Sequence, residues 1–373
     1  MKALRVSIVL VMLAAAAVAF AAGTTEEVEA AQPDALVGVD PSGQTVTFWY
    51  NHSREREEGL KEMIDEFNAS NEWDITVIGE YAGGYGDIYN KMITGITGGS
   101  VPELVVAYQN QAAAYEVPGA LTDLRPYVSH PEYGIDDLDD FFAGFINQDV
   151  NAQFDGERLG FPPNRSAEVM YYNNSWLEEL GYDGPPTTWE EFREMAAAAT
   201  DDAAGTYGYA LRTDASNVYA MIIGRGGEFQ RADGTGYTLD TPELQASMEF
   251  MKQLYDDGYA RKIAERYGEQ SDFANQKVLF TMGSTSGLPF YEMAVAEGEA
   301  GVFEWSVAPI PHTTDRAVTN IYGASVSIPE TTAEKQLAAW LFVRRFPPPE
   351  QQAQCLEISH YFPVHHPVPE HLR

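Results

Sequence analysis

Thr45-Val46-Thr47-Phe48-Trp49 alternates polar and apolar positions and is rich in β-formers, which predicts a strand. Leu60, Met63, Ile64 and Phe67 then recur at helical spacing. Ile75 to Ile78 predicts a second strand, Tyr89, Met92, Ile93 and Ile96 line a second helix, and the apolar run Leu104-Val105-Val106 suits a buried strand. This β-α-β-α-β order implies a mainly parallel sheet covered by helices. From near Gln153 a second region begins. Short strand signals at Leu159-Gly160-Phe161 and Val169 to Tyr172 precede a helix that Thr188 and Glu191 open with capping-box spacing. Tyr207 to Leu211 predicts a strand, and Thr241 to Asp257, with Leu244, Met248, Met251 and Leu254 on one face, a long helix. Residues 303–311 and 324–329 return to strand character. Glu334 to Phe346 is helical until Pro347-Pro348-Pro349 stops it. There is no tandem repeat, and two α/β lobes are more economical than one sheet of so many strands.

The first residues alter where this body is expected to work. Lys2 and Arg5 precede an apolar run to Phe20, and Ala19-Phe20-Ala21 has the spacing of a cleavage site, which predicts a secretory signal peptide over 1–21. A membrane anchor is the weaker alternative, because the apolar run is shorter than a spanning helix and an acidic segment follows. Residues 22–43 read as a flexible acidic leader. No cysteine lies near the cleavage point, so a free extracytoplasmic product without a lipid anchor is expected.

Charge then removes whole classes of partner. The 373 residues carry 23 Lys+Arg against 56 Asp+Glu, a net charge of −33, which makes nucleic acid and anionic membranes poor partners. The single cysteine, Cys355, excludes an intramolecular disulfide framework and Cys-based metal clusters. No cofactor is expected, and no metal: His365-His366 has no further ligand at a recognised spacing. The acids Glu55, Glu57 and Glu58 sit at a helix start, and Asp136, Asp137, Asp139 and Asp140 are expected to open another. Asp233-Gly234-Thr235-Gly236 reads as a hairpin or surface turn rather than a calcium loop. Ser284-Thr285-Ser286-Gly287 is not a nucleophile elbow. What remains is an aromatic inventory, Trp49, Tyr50, Tyr81, Tyr85, Tyr108, Tyr322 and Tyr361, at strand ends or in the following loops, where open α/β sheets bind ligands. Such rings stack on sugar faces or cover a glycerol backbone, while Ser, Asn and Gln side chains fix hydroxyls.

In this order the segments Val46 to Tyr50, Ile64 to Asn68, Gly84-Tyr85, Val101 to Val105, Pro163 to Ser166, Met170 to Asn173, Pro186 to Phe192, Gly323 to Ser325, Glu334 to Trp340 and Tyr361 to Val364 resemble the family 1 extracellular solute-binding proteins of ABC importers. The resemblance implies a two-lobed, type II periplasmic-binding-protein-like α/β fold with discontinuous lobes: 44–152 with 311–347, and 153–310 with 348–373. It also implies capture of a carbohydrate or glycerol-phosphate ligand by hinge closure, delivery to membrane permease subunits, and a monomer. The glycerol-3-phosphate-binding branch is the nearest pattern. Its ligand-contact positions carry over as Tyr85, Gln109, Ser166, Ser284, Gly323 and Tyr361. Tyr85 and Tyr361 would stack or contact hydroxyls, Gln109, Ser166 and Ser284 would hydrogen-bond, and Gly323 would donate from its backbone.

Two departures redirect the ligand. Gln109 stands where that branch has a glutamate, and the chain stops at Arg373, before the helices that carry the branch's phosphate-gripping arginine. A neutral oligosaccharide is therefore as compatible as a phosphate. Arg165 is the nearest substitute cation, with a surface salt bridge as its alternative role. The competing readings are a ligand receptor for a membrane sensor and a secreted carbohydrate-active hydrolase using Glu168 or Asp202.

Overall fold

The computed structural model describes residues 36–228, 231, 236–263, 265, 267–348, 351–353, 356 and 361–365. The signal segment, Asp233 to Thr235, Cys355, His360, His366 and His371 lie outside them. Among the described residues no helix is long and apolar enough to cross a membrane.

Three parallel strands begin the first lobe: β1 (Thr45–Tyr50), β2 (Thr76–Tyr81) and β3 (Leu104–Ala107), with β1 between the other two. All four β3 residues are buried, as its unbroken apolar sequence requires of a strand covered on both faces. Helices Glu55–Ser70 and Tyr85–Gly98 connect the strands. In β1 the buried positions are Val46, Phe48 and Tyr50, so Tyr50 packs in the core and leaves the inventory of ligand-facing aromatics. After the short hairpin β4 (Val150–Asn151) and β5 (Glu157–Arg158), the long β6 (Ser166–Asn173) enters a second sheet. This sheet runs β10-β6-β9-β7-β8, with β7 (Tyr207–Leu211), β8 (Ala260–Lys262), β9 (Val278–Ser284) and β10 (Trp305–Ala308). β7 is parallel to β8 and β9, whereas β6 is antiparallel to β9 and β10.

Near the end the chain passes from one sheet to the other within a few residues. β11 (Ile321–Tyr322) pairs with β6 of the second sheet, and β12 (Ser325–Ser327) pairs antiparallel with β3 of the first. Only Gly323 and Ala324 lie between. The opposite passage occurs at 162–165: Phe161 bridges Val326 in the first lobe, and Ser166 starts β6 in the second. Helix Ala333–Val343 then closes the first lobe with every residue from Gln336 to Val343 buried, including Trp340, whose Nε1 donates to the Tyr133 carbonyl at 2.8 Å. A side chain of that size contributes about 1.5–3 kcal/mol by leaving water.

Several local expectations change. Leu159 to Phe161 forms a single bridge rather than a strand, and Leu159 and Phe161 pack in the first core, so the passage to the second lobe lies beyond 153. Val364 also packs in that first core, against the sequence placement of 348–373 with the second lobe. The acids 136–140 lead only into a three-residue 3-10 turn, Leu138–Asp140. Helix Pro242–Asp256 forms as the periodicity predicts, yet Met248 on its apolar stripe is 50% exposed, while Met251 and Leu254 are buried.

Candidate ligand cleft

Where the crossing segments meet, Arg165 and Phe362 pair as an isolated bridge, which holds the segment bearing Tyr361 beside the start of β6. Gly323 lies against the same point. A Cβ on it would come within 3.3 Å of the Asn164 carbonyl oxygen, so the close approach of the two crossing segments favours glycine there.

Aromatic side chains gather on the first-lobe side. Tyr85 opens its helix directly after Gly84, and its ring meets Tyr108 edge-on with centroids 4.8 Å apart. Its hydroxyl hydrogen-bonds with Asn51 and Tyr361. Burial pushes the Tyr85 phenol well above its ordinary pKa, and burial followed by the neighbouring Tyr361 pushes Tyr108 to about 12, so both rings are neutral donors at physiological pH.

On the second-lobe side the register sets Glu168 opposite Ser284 and Ser166 opposite Tyr322. Tyr322 donates to Glu168 Oε2 at 2.6 Å and also hydrogen-bonds with Ser284. Glu168 is 1% exposed, and burial raises its carboxyl to about 7. The Ser284 hydroxyl accepts from the Ser286 amide at 3.1 Å and lies 2.8 Å from the Ser286 hydroxyl. Ser166 is 1% exposed and its Oγ has no hydrogen-bond partner among the described residues. The Oδ1 of Asn51 is likewise buried and unpartnered.

A buried polar knot underlies the junction. Asp149 accepts from Arg165 Nη2 and from Gln109 Nε2, each at 2.9 Å, and from Ser325 Oγ at 2.7 Å. Arg165 further donates to the carbonyls of Phe145 and Gly323. Its side chain is 0% exposed and that of Asp149 3%, so Arg165 forms a buried ion pair and not the surface salt bridge considered from sequence. Gln109 also spends its amide hydrogens inside the protein, on Asp149, Ser325 and the Gly323 carbonyl.

The six positions singled out in the sequence thus form linked groups. Tyr85 touches Tyr361, Gln109 touches Gly323, and Ser284 and Ser166 flank the β11 residue Tyr322. Sequence reasoning passed over Asn51, Asp149 and Arg56. The first two carry no local signal; Arg56 could have been noticed as a cation between Glu55 and Glu57 in an acidic helix start. The two acids considered for hydrolysis do not share an environment, since Glu168 is buried and the Asp202 side chain is 92% exposed beside Arg261. No group of three or more His, Cys, Asp or Glu among the described residues could hold a metal ion.

Comparison with known proteins bears on this geometry. Residues 62–371 match the family described as bacterial extracellular solute-binding protein. A Brucella abortus chain named only as a binding protein is 27% identical over 230 residues, covering 60% of this chain and 53% of its own, so the chain spans about half the length of such relatives. An arabinooligosaccharide-binding protein of Halalkalibacterium halodurans is 31% identical over 134 residues, 34% of this chain and 29% of that one. Among solved structures, UgpB of Mycobacterium tuberculosis in complex with glycerophosphocholine superposes with a TM-score of 0.73 at 21% identity, covering 86% of this chain and 79% of that one. At that identity the likeness establishes the two-lobed fold.

Proposed function

Because the chain belongs to the bacterial extracellular solute-binding proteins, we propose that it is the extracytoplasmic receptor of an ABC importer, taking a carbohydrate or glycerol-phosphate type of ligand between its lobes and presenting it to membrane permease subunits. The observation that carries this reading is the convergence of Tyr85, Tyr108 and Tyr361 with the unpartnered polar atoms of Asn51 and Ser166 where the chain crosses between lobes. Aromatic faces can cover the C–H face of a polyol, and buried polar atoms that lack partners among the described residues suit its hydroxyls.

The names of relatives support both ligand types, an arabino-oligosaccharide in one and glycerol phosphate in another. Gln109 and Arg165 are directed into the buried knot, so the ligand's polar groups fall to Tyr85, Ser166, Ser284 and Tyr361, with Gly323 contributing from its backbone. This favours an uncharged polyol portion as the recognised element. No catalytic role is proposed for any of these residues. The working form is a monomer without a cofactor.

A thermal-shift panel of arabino-oligosaccharides, maltodextrins, sn-glycerol 3-phosphate and glycerophosphocholine tests the reading. A true ligand at a hundredfold excess over its Kd stabilises the folded state by about 2.7 kcal/mol and raises Tm measurably. A folded protein whose Tm is unmoved by every member would count against a receptor of this ligand class.

A further inference from the structure

Arg56 stands in the first turn of helix Glu55–Ser70 in the first lobe, close to His52, and it also reaches beyond that lobe. Its Nη2 donates to the Ser286 carbonyl at 2.7 Å, on the turn that follows β9 of the second lobe. Its guanidinium stands 4.9 Å from the ring centroid of Phe290, in the second-lobe helix Leu288–Glu297, and 5.4 Å from that of Tyr361. One side chain therefore joins the first lobe, the second lobe and the segment that bears Tyr361. The planar guanidinium suits this task, since it can donate at its edge while its face lies over aromatic rings. Arg165, by contrast, is enclosed in the ion pair with Asp149.

We propose that Arg56 is a positioning residue that clasps the two lobes together and at the same time sets the Tyr361 ring in the cleft, so that closure and presentation of a ligand-facing aromatic are one event. The bonds to Ser286 and Phe290 exist only while the lobes are together. They therefore bias the open–closed equilibrium toward closure, and the bias enters the apparent affinity of any ligand that needs the closed form. Through Tyr361 the same side chain reaches Tyr85, and through the Ser286 turn it reaches Ser284. This inference rests on the cleft reading above, but its test needs no ligand.

Spin labels at Thr97→Cys and Glu194→Cys, both exposed and one on each lobe, report the interlobe distance in a Cys355→Ser background. In the ligand-free protein Arg56→Gln is expected to lower the short-distance population about tenfold relative to the open one. Phe290→Leu, which removes one ring and leaves the Ser286 bond, is expected to shift it in the same direction by less. Circular dichroism confirms folding of each variant, and Phe290→Leu decides the matter if Arg56→Gln does not fold. A distance distribution unchanged in the folded variants would overturn the clasp, and because the measurement is made without ligand that result would leave the receptor reading standing. A distribution unchanged in Arg56→Gln, together with weaker binding of anionic ligands alone, would also overturn it by making Arg56 a direct ligand contact.

Discussion

Replacing Asp149 with alanine removes the one carboxylate on which Arg165, Gln109 and Ser325 converge. Arg165 would keep only neutral partners, the carbonyls of Asn164, Phe145 and Gly323 and the Ser325 hydroxyl, at 0% side-chain exposure. Stranding one charge of a buried pair costs about 3–5 kcal/mol. With an unfolding entropy of about 2.1 cal/mol/K per residue, a chain of 373 residues shifts its Tm by about 1.3 °C per kcal/mol, so a fall in Tm of roughly 4–6 °C is expected. The assay is scanning calorimetry paired with urea unfolding followed by tryptophan fluorescence. Asp257→Ala serves as the comparison, because its partner Arg193 is 48% exposed and such a surface pair contributes no more than about 1 kcal/mol. The double variant Asp149→Ala/Arg165→Met removes the stranded charge and is expected to regain much of the loss. An Asp149→Ala cost no greater than that of Asp257→Ala would refute the reasoning, since the Arg165–Asp149 pair could not then be the buried support of the crossing segments.

Other predictions address the buried carboxylate of β6, the cleft and two local features. The Glu168 carboxyl is raised to about 7, so between its unfolded value near 4.3 and pH 7 the folded state holds more protons than the unfolded one and stability falls as pH rises. Glu168→Gln is expected to flatten that part of a Tm–pH profile between pH 5 and 8; an unchanged slope would dismiss the assignment. Tyr85→Phe and Tyr361→Phe each delete one hydroxyl of a linked pair and are expected to weaken ligand binding by about 0.5–1.5 kcal/mol in calorimetric titration while Tm changes little. Thr188→Ala breaks the capping box of helix Trp189–Ala198 and is expected to cost about 1 kcal/mol in urea unfolding. Gly208→Ala places a methyl group 2.3–2.4 Å from Ala196 backbone and side-chain atoms, so a loss of at least about 1–3 kcal/mol is expected.

What the sequence made legible was local. The Thr188 cap, the buried run of β3 and the long helix ending at Asp256 follow from neighbours within a few residues, and each forms as its pattern requires. Tyr50 shows a signal that was available and outweighed by its aromatic type, since it falls in phase with Val46 and Phe48 on the buried face of β1. Arg165 could not be read in this way. Its burial depends on Asp149, Ser325 and the Gly323 carbonyl, two of them about 160 residues away, and no periodicity encodes such a meeting. The same holds for Arg56, whose partners Ser286 and Phe290 belong to the other lobe. Met248 marks the opposite limit, an apolar residue on a helical stripe that the neighbouring elements leave half exposed.

The central claim is that the cleft between the lobes captures a polyol or sugar ligand, and isothermal titration calorimetry of residues 22–373 tests it most directly. Titrated with the arabino-oligosaccharide, maltodextrin and glycerol-phosphate series, the protein is expected to bind one series saturably with one site per chain, and Tyr85→Ala with Tyr361→Ala is expected to abolish that heat while the protein stays folded. Absence of saturable heat with every series, or an affinity unaltered by the double substitution, would contradict the account.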